Sequence, residues 1–99
     1  MRKANLSQEK ILERKLGEKV DAVGGWSLKL WPVSVAGLPD RMVLLPGGRV
    51  RFVELKSEGK KPTAIQLMIH ARFYKLGFEV TLISNEQQLN DFIHAIQTS

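Results

Sequence analysis

Asp40-Arg41-Met42-Val43-Leu44-Leu45-Pro46-Gly47-Gly48-Arg49-Val50-Arg51-Phe52-Val53-Glu54-Leu55-Lys56 is the stretch in which the fold is decided. Two β-rich runs flank a Pro-Gly-Gly turn, which predicts an antiparallel hairpin. A three-residue turn places Leu45 opposite Arg49 and Asp40 opposite Glu54. A two-residue turn shifts the register by one and still leaves the two acids as neighbours. Glu54 and Lys56 are two apart in a strand, so they leave it on the same face. Val50 and Phe52 alternate with Arg51, Val53 and Leu55, so both faces of the second strand carry apolar groups. Such a strand is central and covered on both sides. An acid and an amine at the end of a buried strand are costly unless they are paired or bind an ion.

Two carboxylates held this close repel one another unless a cation sits between them. Hard divalent ions take oxygen ligands, and Mg²⁺ typically keeps several waters beside one or two carboxylates. A lysine next to such an ion can position a water or stabilise charge growing on a phosphate. The competing account is a hairpin with an ordinary Glu54–Lys56 surface ion pair. Spacing alone does not choose between them.

Gly37-Leu38-Pro39-Asp40-Arg41, Val53-Glu54-Leu55-Lys56 and, further on, Gln66 at the start of a helix form an ordered set. Over roughly residues 7 to 90 the set resembles the VRR-NUC family of the PD-(D/E)xK nuclease superfamily. The resemblance implies a restriction-endonuclease-like α/β core and hydrolysis of DNA supported by Mg²⁺ or Mn²⁺. Asp40 and Glu54 would be metal ligands, joined by the backbone carbonyl of Leu55. Lys56 would position the attacking water and Gln66 would support it. A glutamate of the first helix also joins the metal site in the family. Counting back from Gly24-Gly25 matches Glu9 to it, with Glu13 one turn later as the second choice. Lys29 matches a lysine common in the family, and the residues before the Pro-Asp pair would line the DNA-facing rim. Lys29, Arg41, Lys60 and Lys61 are the candidates for phosphate contact.

The elements around the hairpin follow from periodicity. Leu12, Leu16, Val20 and Val23 form one apolar stripe, predicting a helix over 6–23 that Asn5 or Ser7 caps and Gly24-Gly25 ends. Within it, Glu9 is also explained as a first-turn acid favoured by the helix dipole. Trp26 to Trp31 alternates and reads as a strand with Trp26, Leu28 and Leu30 on its apolar face, closed by Pro32. Trp31 either packs or stacks on a base. Val33 to Leu38 is a loop in which Gly37 permits close backbone approach and Pro39 presets the dihedral before the acid. Lys60 and Lys61 lie in a polar turn, adjoining the candidate site or simply solvated.

Thr63 begins a second helix running to Leu76, with Ile65, Met68, Ile69, Phe73 and Leu76 as its expected buried face. Thr63-Ala64-Ile65-Gln66 fits a capping box, which competes with the site for the Gln66 side chain. His70, one turn on, faces the same side as Gln66 but reads as a surface or packing histidine. Phe78 to Ser84 is a strand by alternation and β-branching, parallel to its predecessor because a helical crossover joins them. Leu89, Phe92, Ile93 and Ile96 mark a last helix opened by Asn85. The order is α-β-β-β-α-β-α around a mixed four-stranded sheet, and residues 1–99 offer no linker between domains.

Composition narrows the partners. Fifteen basic and ten acidic side chains give +5, favouring a polyanion, and 43% apolar content suffices for a modest core. There is no cysteine, hence neither a disulfide framework nor a thiolate zinc site. No apolar run approaches a membrane span, and the N-terminus lacks a signal-peptide core. The sequence therefore points to a soluble, cytoplasmic protein. The reading as a whole is a metal-dependent endonuclease acting as a homodimer on branched DNA such as four-way junctions. Trp31, Phe78 and the last helix are the candidate dimer contacts. The alternative is a catalytically idle nucleic-acid-binding module.

Overall fold

The computed structural model describes residues 7–98. The expected helix start at residue 6 and the alternative cap Asn5 lie outside them. Helix α1 spans Gln8–Ala22, and Ser7 caps it by accepting the Lys10 amide through Oγ at 3.1 Å. The remaining elements are β1 (Trp26–Lys29), β2 (Arg41–Leu45), β3 (Arg49–Leu55), α2 (Ala64–Lys75), β4 (Val80–Ile83) and α3 (Glu86–Thr98).

The hairpin takes the three-residue turn. Leu45 pairs with Arg49 and Arg41 with Val53, so one step further Asp40 stands against Glu54. Gly47 and Gly48 sit at φ +82° and +74°, a left-handed run that side chains with a Cβ rarely adopt. The sheet order is β1-β2-β3-β4, antiparallel at the first two junctions and parallel at the third. Helix α2 makes the crossover that a parallel pair requires. This is the expected mixed α/β sheet with β3 inside it.

Cross-strand partners share a face, and the two faces differ. One carries Val43, Leu45, Val53, Leu55 and Ile83, covered by Leu12, Leu16 and Val20 of α1 and by Leu89, Phe92 and Ile96 of α3. Burying side chains of this size stabilises the fold by roughly 1.5–3 kcal/mol each. The other face carries Trp26, Leu28, Met42, Leu44, Val50, Phe52 and Glu54, and α2 is the helix that lies over it. The contact centres on Phe52, whose ring meets Phe73 edge-on at 4.8 Å and Phe78 at 5.7 Å. Such edge-to-face pairs are favourable beyond their area.

Three expectations change here. Helix α2 buries no residue fully: Met68 is 58% and Leu76 76% exposed, and Ile65 is also exposed. Its apolar residues run all the way round, so one layer of sheet cannot cover them. Strand β1 ends at Lys29 rather than Trp31, and its outer face is open, leaving Trp26 63% exposed. The apolar side of α3 is core, so that helix offers no free apolar face for a second copy.

Candidate active site at the end of the hairpin

Asp40 is the last residue before β2, and its carbonyl accepts the Leu30 amide at 2.9 Å, which ties β1 to it. Gly37, three residues earlier at φ +86°, lies so close to α2 that a Cβ there would stand 2.8 Å from the Ile65 carbonyl. The loop is thus seated on the first turn of α2, and it brings Asp40 and Gln66 to the same end of the sheet. Asp40 Oδ2 accepts the Leu55 amide at 2.8 Å. Burial raises the Asp40 carboxyl; the Leu55 amide opposes this, and the charges of Glu13 and Glu9 add to the rise.

Glu54 is 1% exposed, the one buried charged residue among those described. Its Oε2 accepts from Gln66 Nε2 at 2.9 Å and lies 3.7 Å from Lys56 Nζ. Its Oε1 has no hydrogen bond and faces His70 Nε2 at 3.7 Å, which is equally without one. Burial, then repulsion from Asp40, pushes the Glu54 carboxyl up to about 7, with Lys56 opposing. Burial also lowers the His70 imidazole. A buried acid displaced this far beside a second acid is a candidate functional group.

Gln66 does two jobs that the sequence set in competition. Its Oε1 accepts the Thr63 amide at 2.9 Å, closing the capping box, while its Nε2 holds Glu54. An amide has an acceptor end and a donor end, and each is used once. His70 is the half-buried packing histidine the sequence allowed, and it packs on the site. Its spacing of four from Gln66 already put it on that helix face, but the depth of Glu54 beneath it was not legible.

The two first-helix glutamates line the same cavity but have different partners. Glu9 lines a cavity of about 170 Å³ with Ser7, Lys10, Glu13, Lys29, Asp40 and Leu55. Its carboxylate accepts from Ser57 Oγ at 3.4 Å, and its charge bears on both Asp40 and Glu54. Glu13 Oε2 accepts from Lys29 Nζ at 3.1 Å and Arg41 Nε at 3.0 Å. Burial pushes the Glu13 carboxyl up, but these two cations outweigh it and leave it below its ordinary value. Arg41 also donates to the Ser27 carbonyl at 3.2 Å, so it buttresses β1 from inside. Lys29 sits at the cavity rim, whereas Lys60 and Lys61 are exposed in the segment between β3 and α2.

The cavity's carboxylate oxygens from Asp40 and Glu9, with room for water, suit a hard divalent ion. Glu54 Oε1, buried and without a hydrogen bond, is the kind of atom such an ion satisfies. The donors are near but not converged. Among the described residues no three His, Cys, Asp or Glu side chains meet at metal range, and Glu54 does not line the cavity because Gln66 draws it toward α2.

No family model matches this sequence. Among curated proteins, the "Putative nuclease p44" of Acyrthosiphon pisum secondary endosymbiont phage 1 is 38% identical over 91 residues, covering 92% of this chain and 97% of that protein. Among solved structures, a VRR_NUC domain superposes with a TM-score of 0.84 at 34% identity, covering 90% of this chain and 97% of its own. The two likenesses cover 92% and 90% of this chain, which includes the hairpin. The chain belongs to the VRR-NUC family of nucleases.

Proposed function

We propose that this protein is a Mg²⁺- or Mn²⁺-dependent endodeoxyribonuclease. The observation that carries the reading is Glu54: a buried carboxyl raised to about 7, opposite Asp40 and in reach of Lys56 and Gln66. Asp40, Glu54, Glu9 and the Leu55 carbonyl would hold the ion. When bound, it would make water acidic at neutral pH and offset charge on the phosphate. The chain's own groups do the rest. Lys56 would set its ammonium beside the reacting phosphate, where it can donate to and orient a water. Gln66 fixes Glu54 Oε2 and so sets the direction of its other oxygen. Glu13 holds Lys29 and Arg41 at the rim, where Lys29 offers charge to the strand.

Branched DNA as substrate and a homodimer as the working form belong to the same proposal. The support is the open apolar surface of α2 and the outer face of β1, where Met68, Leu76 and Trp26 are left in water. Exposed apolar side chains that lie together on one face are where a partner would bind. Two-fold pairing is the commonest assembly of a small chain, and a four-way junction has matching symmetry. No helix among the described residues is long and apolar enough to cross a membrane.

The test is incubation with plasmid, hairpin and four-way-junction DNA, with and without Mg²⁺ or Mn²⁺. Metal-dependent cleavage that disappears in Glu54→Ala and Lys56→Ala supports the enzyme. Binding without cleavage on every substrate returns the idle nucleic-acid-binding module.

A further inference from the structure

Trp31 lies just beyond the end of β1, two residues from Lys29, and is 68% exposed. It does not join either apolar layer of the protein. Lys29 Nζ lies over its ring at 5.2 Å from the centroid. The same ammonium donates to Glu13 and lines the cavity that holds Glu9, Asp40 and Leu55. One lysine side chain thus connects an exposed indole to the candidate cleavage site. The Leu30 amide donates to the Asp40 carbonyl at 2.9 Å, which joins the residue before Trp31 to Asp40, and the Val33 amide turns back on the Trp31 carbonyl at 2.8 Å. The backbone that carries the indole is thus bonded to Asp40 one residue before Trp31.

We propose that Trp31 is a stacking platform for one unpaired nucleobase next to the scissile phosphate, with Lys29 as its cationic partner. The inference rests on the nuclease reading and deepens it by naming what the site selects. A base inside a duplex has both faces covered by its neighbours. Only a base in a single strand, at a frayed end or at a branch point can offer a face to the indole. A cation beside the ring suits both the ring and the adjacent phosphate, which matches the charge of the rim. Val33, two residues on, is almost wholly exposed as well, so apolar side chains on this segment face water at two positions. Selection among DNA structures would then come from one aromatic residue at the rim rather than from a separate recognition domain.

The experiment uses the indoles as reporters. Trp26 and Trp31 are the two tryptophans of the chain. In Trp26→Phe, fluorescence reports Trp31 alone; in Trp31→Phe, it reports Trp26 alone. Both are titrated in Ca²⁺ with a short single strand, a blunt duplex and a duplex carrying a single-stranded flap. Trp31 emission should be quenched by the single strand and the flap but not by the blunt duplex, while Trp26 should stay unquenched. Trp31→Ala should weaken single-strand and flap binding about tenfold and blunt-duplex binding less than twofold. Unquenched Trp31, or equal quenching by blunt duplex, overturns the platform whether or not the protein cleaves. Cleavage assays of the wild type on the same three DNAs in Mn²⁺ judge the nuclease reading separately. Selective quenching without cleavage would keep the platform and remove the enzyme; cleavage without quenching would do the reverse.

Discussion

The two faces of the sheet are built to different specifications. Under α1 and α3 lies a dry layer in which Leu16, Val20, Val43, Val53, Ile83 and Leu89 have no exposed surface at all. Under α2 lies Phe52 with its two edge-on aromatic partners and, one alternation further along β3, a buried acid. The first face holds the stability of the fold. The second gives up packing to hold Glu54, Gln66 and His70, and it leaves α2 in water on its far side. Strand β3 joins the two, because alternate residues supply Val53 and Leu55 to one face and Phe52 and Glu54 to the other.

The largest effect that probes this contrast is on activity. Glu54→Ala and Lys56→Ala should each lower cleavage by a hundredfold or more, as removal of one charge-stabilising group does in other sites. Thermal melts should show both variants folded, because neither residue belongs to the α1/α3 layer. A variant that loses activity only because it unfolds would erase the distinction between the faces.

Packing comes next. Leu16→Ala should cost about 2–5 kcal/mol in denaturant unfolding, since its cavity lies in a closed layer. Leu76→Ser, on the exposed side of α2, should cost under about 0.5 kcal/mol in the monomer. Comparable losses at the two positions would mean that α2 is covered after all. If a second copy is what covers it, Met68→Glu with Leu76→Glu should shift light-scattering mass from twice 11.2 kDa to 11.2 kDa. A wild-type mass near that of one chain would remove the dimer altogether.

Electrostatic strain on the second face gives a smaller effect of opposite sign. The Glu54 carboxyl titrates near 7 in the fold against 4.5 as its ordinary value. The folded state therefore holds the proton more tightly than the unfolded one. Its contribution is intact below pH 4.5 and is lost as pH rises through 7. At pH 8 without metal, Glu54→Gln should be more stable than wild type by roughly 2–3 kcal/mol, and at pH 4 the two should agree. Divalent metal should raise the melting temperature of wild type and not of Asp40→Asn. Equal stability of Glu54→Gln and wild type at pH 8 would mean that Glu54 is relieved by a partner other than those seen here.

Which parts were legible in advance follows from how local the signal is. The hairpin came from its turn residues, which left the register open by one but made Asp40 and Glu54 neighbours for either turn length. The α1 stripe and the crossover were equally local. The fate of α2 was not, since Ala64-Ile65-Gln66-Leu67-Met68-Ile69 is apolar on nearly every side and periodicity cannot say which side finds a neighbour. The pairing of Glu13 with Lys29 and Arg41 joins three elements distant in sequence, which spacing cannot express. His70 was placed correctly on its helix face and packs there as expected, but that it packs on Glu54 was not legible because Glu54 lies on a strand.

The smallest effect separates the two ends of one side chain. Gln66 caps α2 through Oε1 and restrains Glu54 through Nε2. Glutamate at the same position still accepts the Thr63 amide, and a negative charge in the first turn favours the helix dipole. It has no donor for Glu54, however, and it adds a negative charge beside a carboxyl already raised by burial and by Asp40. Gln66→Glu should thus keep α2 capped while loosening Glu54. Thr63→Ala does the converse, removing the hydroxyl that accepts the Gln66 amide at a cost of about 1 kcal/mol while leaving Nε2 on Glu54. Cleavage should fall about tenfold or more in Gln66→Glu and less than twofold in Thr63→Ala, whereas global stability should drop more in Thr63→Ala. If the two variants lose activity in proportion to stability, Gln66 acts on the site only through the helix it caps, and the second face is less specialised than its geometry implies.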